Sequence, residues 1–159
     1  MLNAADLLQA FTVQRARHFS RVSTDLPSWL QFVQHIDASK KRGDLDLRRK
    51  FYMRAPIVEE DMQSHFAALQ SFREKLQQDI DLPVRPLNAY INIATNEEVW
   101  PAHADQENAL FVQCLGSVTW YLNDEEYLLE EGDAIFFPAN IMHEVHALTP
   151  RGSVIFEIG

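Results

Sequence analysis

His103-Ala104-Asp105-Gln106-Glu107-Asn108-Ala109-Leu110-Phe111-Val112-Gln113-Cys114-Leu115-Gly116-Ser117-Val118-Thr119-Trp120 joins a metal-ligand-like triplet to two short apolar runs. The runs 109–115 and 117–122 are strand-sized, rich in β-branched and aromatic residues, and divided at Gly116. They read as neighbouring strands. Similar runs occupy 87–94, 98–105, 126–130, 134–138, 142–148 and 153–158. Turn signals at Asn123-Asp124, Glu131-Gly132-Asp133 and Thr149-Pro150-Arg151-Gly152 divide them. About eight short strands in so few residues predict a small double-sheet jelly roll.

Composition changes near Pro83-Val84-Arg85-Pro86. Upstream, apolar residues recur at helical spacing. Leu7, Leu8, Phe11 and Val13 mark a helix from Ala4 to about His18. Pro27-Ser28 offers an N-cap for a second helix carrying Trp29, Leu30, Phe32, Val33 and Ile36, with Gly43 beyond it. A third is expected over 59–80, with Glu59, Glu60 and Asp61 in its first turn and Met62, Phe66, Leu69, Phe72 and Leu76 on one face. Lys50-Phe51-Tyr52-Met53-Arg54 is ambiguous and fits an edge strand. The expectation is an α+β protein with a mainly β core. Residues 1–82 form a helical region packing on the barrel, residues 83–159 form the jelly-roll core, and the whole is one structural domain.

Charge narrows the partners. Residues 1–82 hold 12 Lys/Arg against 11 Asp/Glu, whereas residues 83–159 hold 2 against 12. The cations of the second half are Arg85 and Arg151. So acidic a surface does not suit nucleic acid. Lys40-Lys41-Arg42 and Arg48-Arg49-Lys50 read as a solvated surface interrupted by Asp44 and Asp46. No apolar run approaches a membrane span, and the N-terminus lacks the basic-then-apolar pattern of a signal peptide. The one cysteine, Cys114, sits in an apolar run and reads as a buried thiol. These features suit a cytoplasmic protein.

Alternate residues of a strand share a face, so His103 and Asp105 point the same way. A third ligand has to come from a neighbouring strand, and His143 is placed to supply it through a hairpin after Pro138. Two neutral imidazoles, one carboxylate and open positions suit Fe(II), with three-ligand catalytic zinc as the alternative. His146 is three residues from His143 and falls on the opposite face. His18, His35 and His65 lie on expected helices without a partner at metal spacing.

The surroundings of these residues resemble the JmjC-type cupin oxygenases. In that family H-x-D is followed by Gln ten residues after the His, Gly three further on, and a bulky residue on the next strand. Gln113, Gly116 and Trp120 match. The later G-D-x-x-x-x-P-x-x-x-x-H pattern is matched by Gly132, Asp133, Pro138 and His143. It also fits the second cupin motif, with Asn140 where Gly is usual, and Asn tolerates the same left-handed turn. Pro101-Ala102-His103-Ala104-Asp105 looks like the asparaginyl hydroxylase branch. The resemblance covers about residues 87–159. It implies a double-stranded β-helix, His103, Asp105 and His143 as catalytic iron ligands, and 2-oxoglutarate as co-substrate. Phe111 would line the pocket, and Tyr90 and Asn92 would face inward.

One position departs from that pattern. The asparaginyl hydroxylase branch carries a lysine for the distal carboxylate of 2-oxoglutarate where this chain has Val118. His143…Arg151-Gly152-Ser153 resembles the H…R-x-S motif of prolyl hydroxylases and related oxygenases, in which Arg and Ser bind that carboxylate. Arg151 is therefore the candidate anchor. In a simple hairpin, however, Leu148 pairs with Ser153, and Arg151 sits at the tip, about 16 Å of strand from the metal. Arg85, Arg54, Thr119 and Tyr90 are alternatives.

The leading functional expectation is an Fe(II)- and 2-oxoglutarate-dependent oxygenase that hydroxylates a small-molecule or protein substrate. The alternatives are a cupin-like binding module, or a metal enzyme that does not use 2-oxoglutarate. No nucleic acid or membrane partner is expected. The amphipathic first helix is compatible with a homodimer.

Overall fold

The computed structural model describes residues 2–42, 57–60, 66–93 and 98–159. Among these residues, helices α1 (Ala4–Thr12), α2 (Trp29–Arg42) and α3 (Ala67–Ile80) accompany ten strands. These are β1 (Arg17–Phe19), β2 (Ile57–Glu60), β3 (Val84–Asn92), β4 (Glu98–His103), β5 (Ala109–Leu115), β6 (Val118–Leu122), β7 (Glu125–Leu129), β8 (Ala134–Phe137), β9 (His143–Ala147) and β10 (Arg151–Ile158). One sheet has the order β1-β8-β5-β10-β3-β2, and the other β4-β9-β6-β7. Together they form the expected α+β jelly roll.

Local chemistry sets the helix ends. The Asn3 side chain accepts from the Ala5 N–H at 3.1 Å and opens α1. Ser28 and Gln31 form a reciprocal capping box: the Ser28 N–H donates to Gln31 Oε1 at 2.8 Å, and the Gln31 N–H donates to Ser28 Oγ at 3.4 Å. Asp81 ends α3 in the left-handed conformation, with φ 55°.

Two helix expectations are corrected. The first helix stops at Thr12 rather than near His18, because residues 17–19 pair with β8 as an edge strand. Asp133 accepts there from the Arg21 N–H at 2.9 Å and lies 3.2 Å from His18 Nε2. The third helix begins at Ala67 rather than residue 59. Glu59 and Glu60 instead pair with Ala89 and Asn88 in the β2–β3 ladder. In both cases a sheet edge supplied by distant chain overrides local helical spacing. The segment Lys50–Arg54 and Met62 lie outside the described residues.

The central strands β5, β8 and β10 of the six-stranded sheet are buried on both faces. Leu110, Val112, Phe136, Val154 and Phe156 pack with Leu7, Phe32, Leu69 and Leu76 of the helices. Their strand neighbours Ala109, Phe111, Ile135, Phe137 and Ile155 pack with Val118, Trp120, Leu122 and Val145 of the four-stranded sheet. Two dry faces explain why β5 is buried at every position.

The connections into and out of β9 cross between sheets. Strand β8 belongs to the larger sheet and β9 to the smaller, and β10 returns to the larger. The hairpins expected on either side of His143 are therefore absent. Leu148 does not pair with Ser153, which lies opposite Tyr90 and Gln113. Arg151 is the first residue of an inner strand and is fully buried.

Gly116 makes the turn between β5 and β6 with φ +71°, and a Cβ there would stand 2.1 Å from the Pro150 carbonyl oxygen. Gly116→Ala is expected to destabilise the fold by about 2–4 kcal/mol, from left-handed strain plus a backbone clash. Urea denaturation measures this, and a loss under about 0.5 kcal/mol would contradict the close approach.

Candidate functional site

His103 and His143 stand directly opposite each other in the β4–β9 ladder. Their ring centroids are 4.3 Å apart. Asp105 lies just beyond the end of β4, and its carbonyl accepts from the Asn140 N–H at 2.7 Å. Asn140 adopts φ 64°, the left-handed turn its sequence position calls for. The turn before β9 thereby pins the backbone of Asp105 beyond β4.

The three side chains converge. His103 Nε2 and His143 Nε2 lie 3.6 Å from Asp105 Oδ1 and Oδ2 respectively. One ligand atom from each residue falls within a 4.8 Å cluster. Donors bound at right angles to one ion at about 2.1 Å stand roughly 3 Å apart, so the two Asp105 pairs need to close by about 0.6 Å to reach that spacing. His143 Nδ1 lies 3.0 Å from the Ile141 carbonyl, a group that can only accept. That bond places the proton on Nδ1 and leaves the Nε2 lone pair for a metal. Burial, helped by the neighbouring His103, holds the His143 pKa below its usual value despite the Ile141 bond and Asp105. The ligand-competent neutral form is favoured. His143 is 4% exposed and His103 35%, so the cluster is walled on one side and open on the other.

Aromatic rings form the wall. Trp120 and Phe137 lie 5.4 and 4.8 Å from the His143 ring, and Phe111 lies 4.6 Å from Trp120. The adjoining cleft, narrow and partly open to solvent, is lined by Tyr90, Phe111, Trp120, Val145, Arg151 and Ile155 beside His103, Asp105 and His143.

Arg151 is the unusual member. Its guanidinium carbon lies 5.6 Å from the centre of the Tyr90 ring, and Nη1 lies 3.5 Å from Ser153 Oγ. Nε and Nη2 are buried without a hydrogen-bond partner among the described residues. These two groups share one edge of the planar guanidinium and form a parallel donor fork that matches the two oxygens of a carboxylate. Burial lowers the Arg151 pKa to about 10, which leaves it cationic at neutral pH. Burial raises the pKa of Tyr90, so its hydroxyl stays protonated.

The other candidates separate clearly. Tyr90 and Phe111 line the cleft, whereas Asn92 and Thr119 do not. Asn92 is buried at the far end of β3, opposite Arg151 in the ladder. Thr119 alternates with Val118 and Trp120, which face the barrel interior, and it pairs with His146 and Leu128. Arg85 is removed as an anchor: it is 61% exposed and paired with Glu157 at 3.1 Å. Arg54 and His65 lie outside the described residues. His146 faces away from the cluster, against Glu144 and the Tyr121 ring. His18 bonds Asp133, and His35 packs on Phe66. Val145 and Ile155 were not foreseen as lining residues. Their inward parity was readable, but strand order was not.

Residues 89–158 match the family described as Cupin domain. The chain has the cupin jelly-roll fold. No curated protein matches it. Among solved structures, YcfD, a ribosomal oxygenase from Escherichia coli, aligns with 100% of this chain at a TM-score of 0.71 and 13% identity. The chain spans about half of that protein, 51% of its length. YcfD in complex with cobalt and succinic acid gives a TM-score of 0.71 at 14% identity, covering 100% of this chain and 52% of that one. Its complex with cobalt and 2-oxoglutarate gives 0.67 at 14%, covering 99% and 51%. At these identities the likeness is one of fold, and it includes the helical region as well as the barrel.

Adding Mn(II) is expected to raise the thermal midpoint of the wild-type protein by several degrees through preferential binding to the folded state. His103→Ala should abolish that rise and the retention of metal on desalting. Equal metal content in both proteins would remove His103 from the site.

Proposed function

We propose that the chain is an Fe(II)- and 2-oxoglutarate-dependent oxygenase that hydroxylates its substrate. The observation that carries this reading is the buried, unpaired donor fork of Arg151 in the same cleft as the His103–Asp105–His143 cluster. A guanidinium buried without an anion is costly, and a dicarboxylate with one end at the metal offsets that cost.

His103, Asp105 and His143 would hold ferrous iron by one face. When bound, iron and 2-oxoglutarate supply the oxidation: the co-substrate loses CO₂ to become succinate, and O₂ gives one atom to succinate and one to the hydroxylated product. The chain's own residues bind and orient. Arg151 receives the distal carboxylate, and Tyr90 adds a neutral hydroxyl beside it. Phe111, Trp120, Val145 and Ile155 exclude water from the reacting end. Val118 is buried in the barrel interior and offers no charge. The anion-binding role therefore passes from β6 of the smaller sheet to β10 of the larger. This weighs against the asparaginyl hydroxylase branch and for an anchor of the R-x-S kind.

A second reading, a metal-binding cupin that does not turn over 2-oxoglutarate, draws on the same valine. One assay separates them. Purified protein with Fe(II) should convert 2-oxoglutarate slowly to succinate without added substrate. Arg151→Met should lower kcat/KM for 2-oxoglutarate at least about 100-fold while iron stays bound. Iron retained with no succinate formed would rule out 2-oxoglutarate and leave the second reading.

A further inference from the structure

The polarity of the hydrogen bonds behind Arg151 assigns roles to two more residues. Gln113 and Ser153 face each other in the β5–β10 ladder, where the register shifts between Gly152 and Ser153. Both are fully buried. Gln113 Nε2 donates to the Leu115 carbonyl at 2.7 Å. A carbonyl only accepts, so the amide nitrogen has to occupy that side and Oε1 has to face Ser153. Ser153 Oγ gives its one proton to Gln113 Oε1 at 2.8 Å. On its remaining side the hydroxyl offers lone pairs alone, and Arg151 Nη1 stands there at 3.5 Å.

We propose that Gln113 and Ser153 are positioning residues for Arg151: together they hold the guanidinium by Nη1 and leave its Nε–Nη2 edge to take one carboxylate in the cleft. Ser153 makes no bond of its own to that carboxylate, because its proton is committed to Gln113. This differs from the direct serine contact that the R-x-S resemblance implies. The inference rests on the 2-oxoglutarate reading for its ligand, although the relay itself is a property of the ligand-free protein.

The direction of one mutational effect separates the two roles. If Ser153 donated directly to the ligand, removing the Gln113 acceptor would free its proton, and binding would stay equal or tighten. Under the relay, the same change lets Arg151 drift, and binding weakens. The test titrates 2-oxoglutarate by calorimetry into Mn(II)-loaded wild type, Ser153→Ala, Gln113→Met and the double variant. Each single variant is expected to weaken binding about tenfold. The double variant should be no weaker than Ser153→Ala, because both residues act through one chain of bonds. Unchanged or tighter binding by Gln113→Met would overturn the proposal.

A second readout needs no ligand. The Nε–H resonance of Arg151 in metal-free protein, assigned by its loss in Arg151→Met, should be sharp in wild type and exchange-broadened in both single variants. The same line shape in all three would also overturn the relay. If wild type binds no 2-oxoglutarate, the co-substrate reading fails, and this resonance still decides whether Gln113 and Ser153 hold Arg151.

Discussion

Strands β5, β8 and β10 are dry on both faces, with helices on one side and the four-stranded sheet on the other. A polar group buried on such a strand needs a partner, either another protein group or something that enters the cleft. Gln113 and Ser153 are paired with each other. Arg151 reaches Ser153 Oγ from Nη1 at 3.5 Å, whereas its Nε and Nη2 have no hydrogen-bond partner among the described residues. Its unsatisfied edge therefore carries chemical information. In a surface turn the same residue would carry none.

The His103–Asp105–His143 cluster obeys a related constraint. Its members come from the smaller sheet and the turn beside it, whereas Arg151 comes from the larger sheet. The cleft is thus a contact between two layers, walled by side chains from both. Backbone bonds such as Asn140 N–H to the Asp105 carbonyl, and the imidazole bond from His143 to Ile141, set the orientations of Asp105 and His143. Aromatic packing of Trp120 and Phe137 against His143 holds that ring in place. Side-chain entropy is spent during folding, so the cluster stands preorganised.

The helical region contributes through the outer face of the larger sheet. Phe32 lies 3.1 Å from where a Cβ on Gly152 would stand, directly behind the Arg151–Ser153 segment. Asp133 of the second motif serves structure: it gathers the Arg21 and Glu130 N–H groups and His18, tying β1 to the barrel. Motif residues in this chain therefore divide between chemistry and architecture, and only their contacts tell which is which.

Much was legible from the chain alone. Strand 109–115 was placed at its observed bounds, and the strands over 118–158 within about two residues, because turn residues and short apolar runs are local signals. The closeness of His103 and Asp105 was expected from strand periodicity, but β4 ends at His103 and Asp105 is held beside it by the turn at Asn140 instead; the motif spacing pointed to His143. The positions of β1, β2 and Arg151 were not legible. Residues 17–19 and 57–60 become strands because distant edges accept them, against their local spacing. Arg151 follows a turn-like Pro150 and reads as exposed, yet the chain crosses there between two sheets. Local sequence determined most of the barrel strands and brought His103 and Asp105 to notice as a pair. Only tertiary structure decided which sheet each strand joins, because strand order depends on non-local pairing that no spacing encodes, and that choice turned an apparent surface arginine into the buried cation of the cleft.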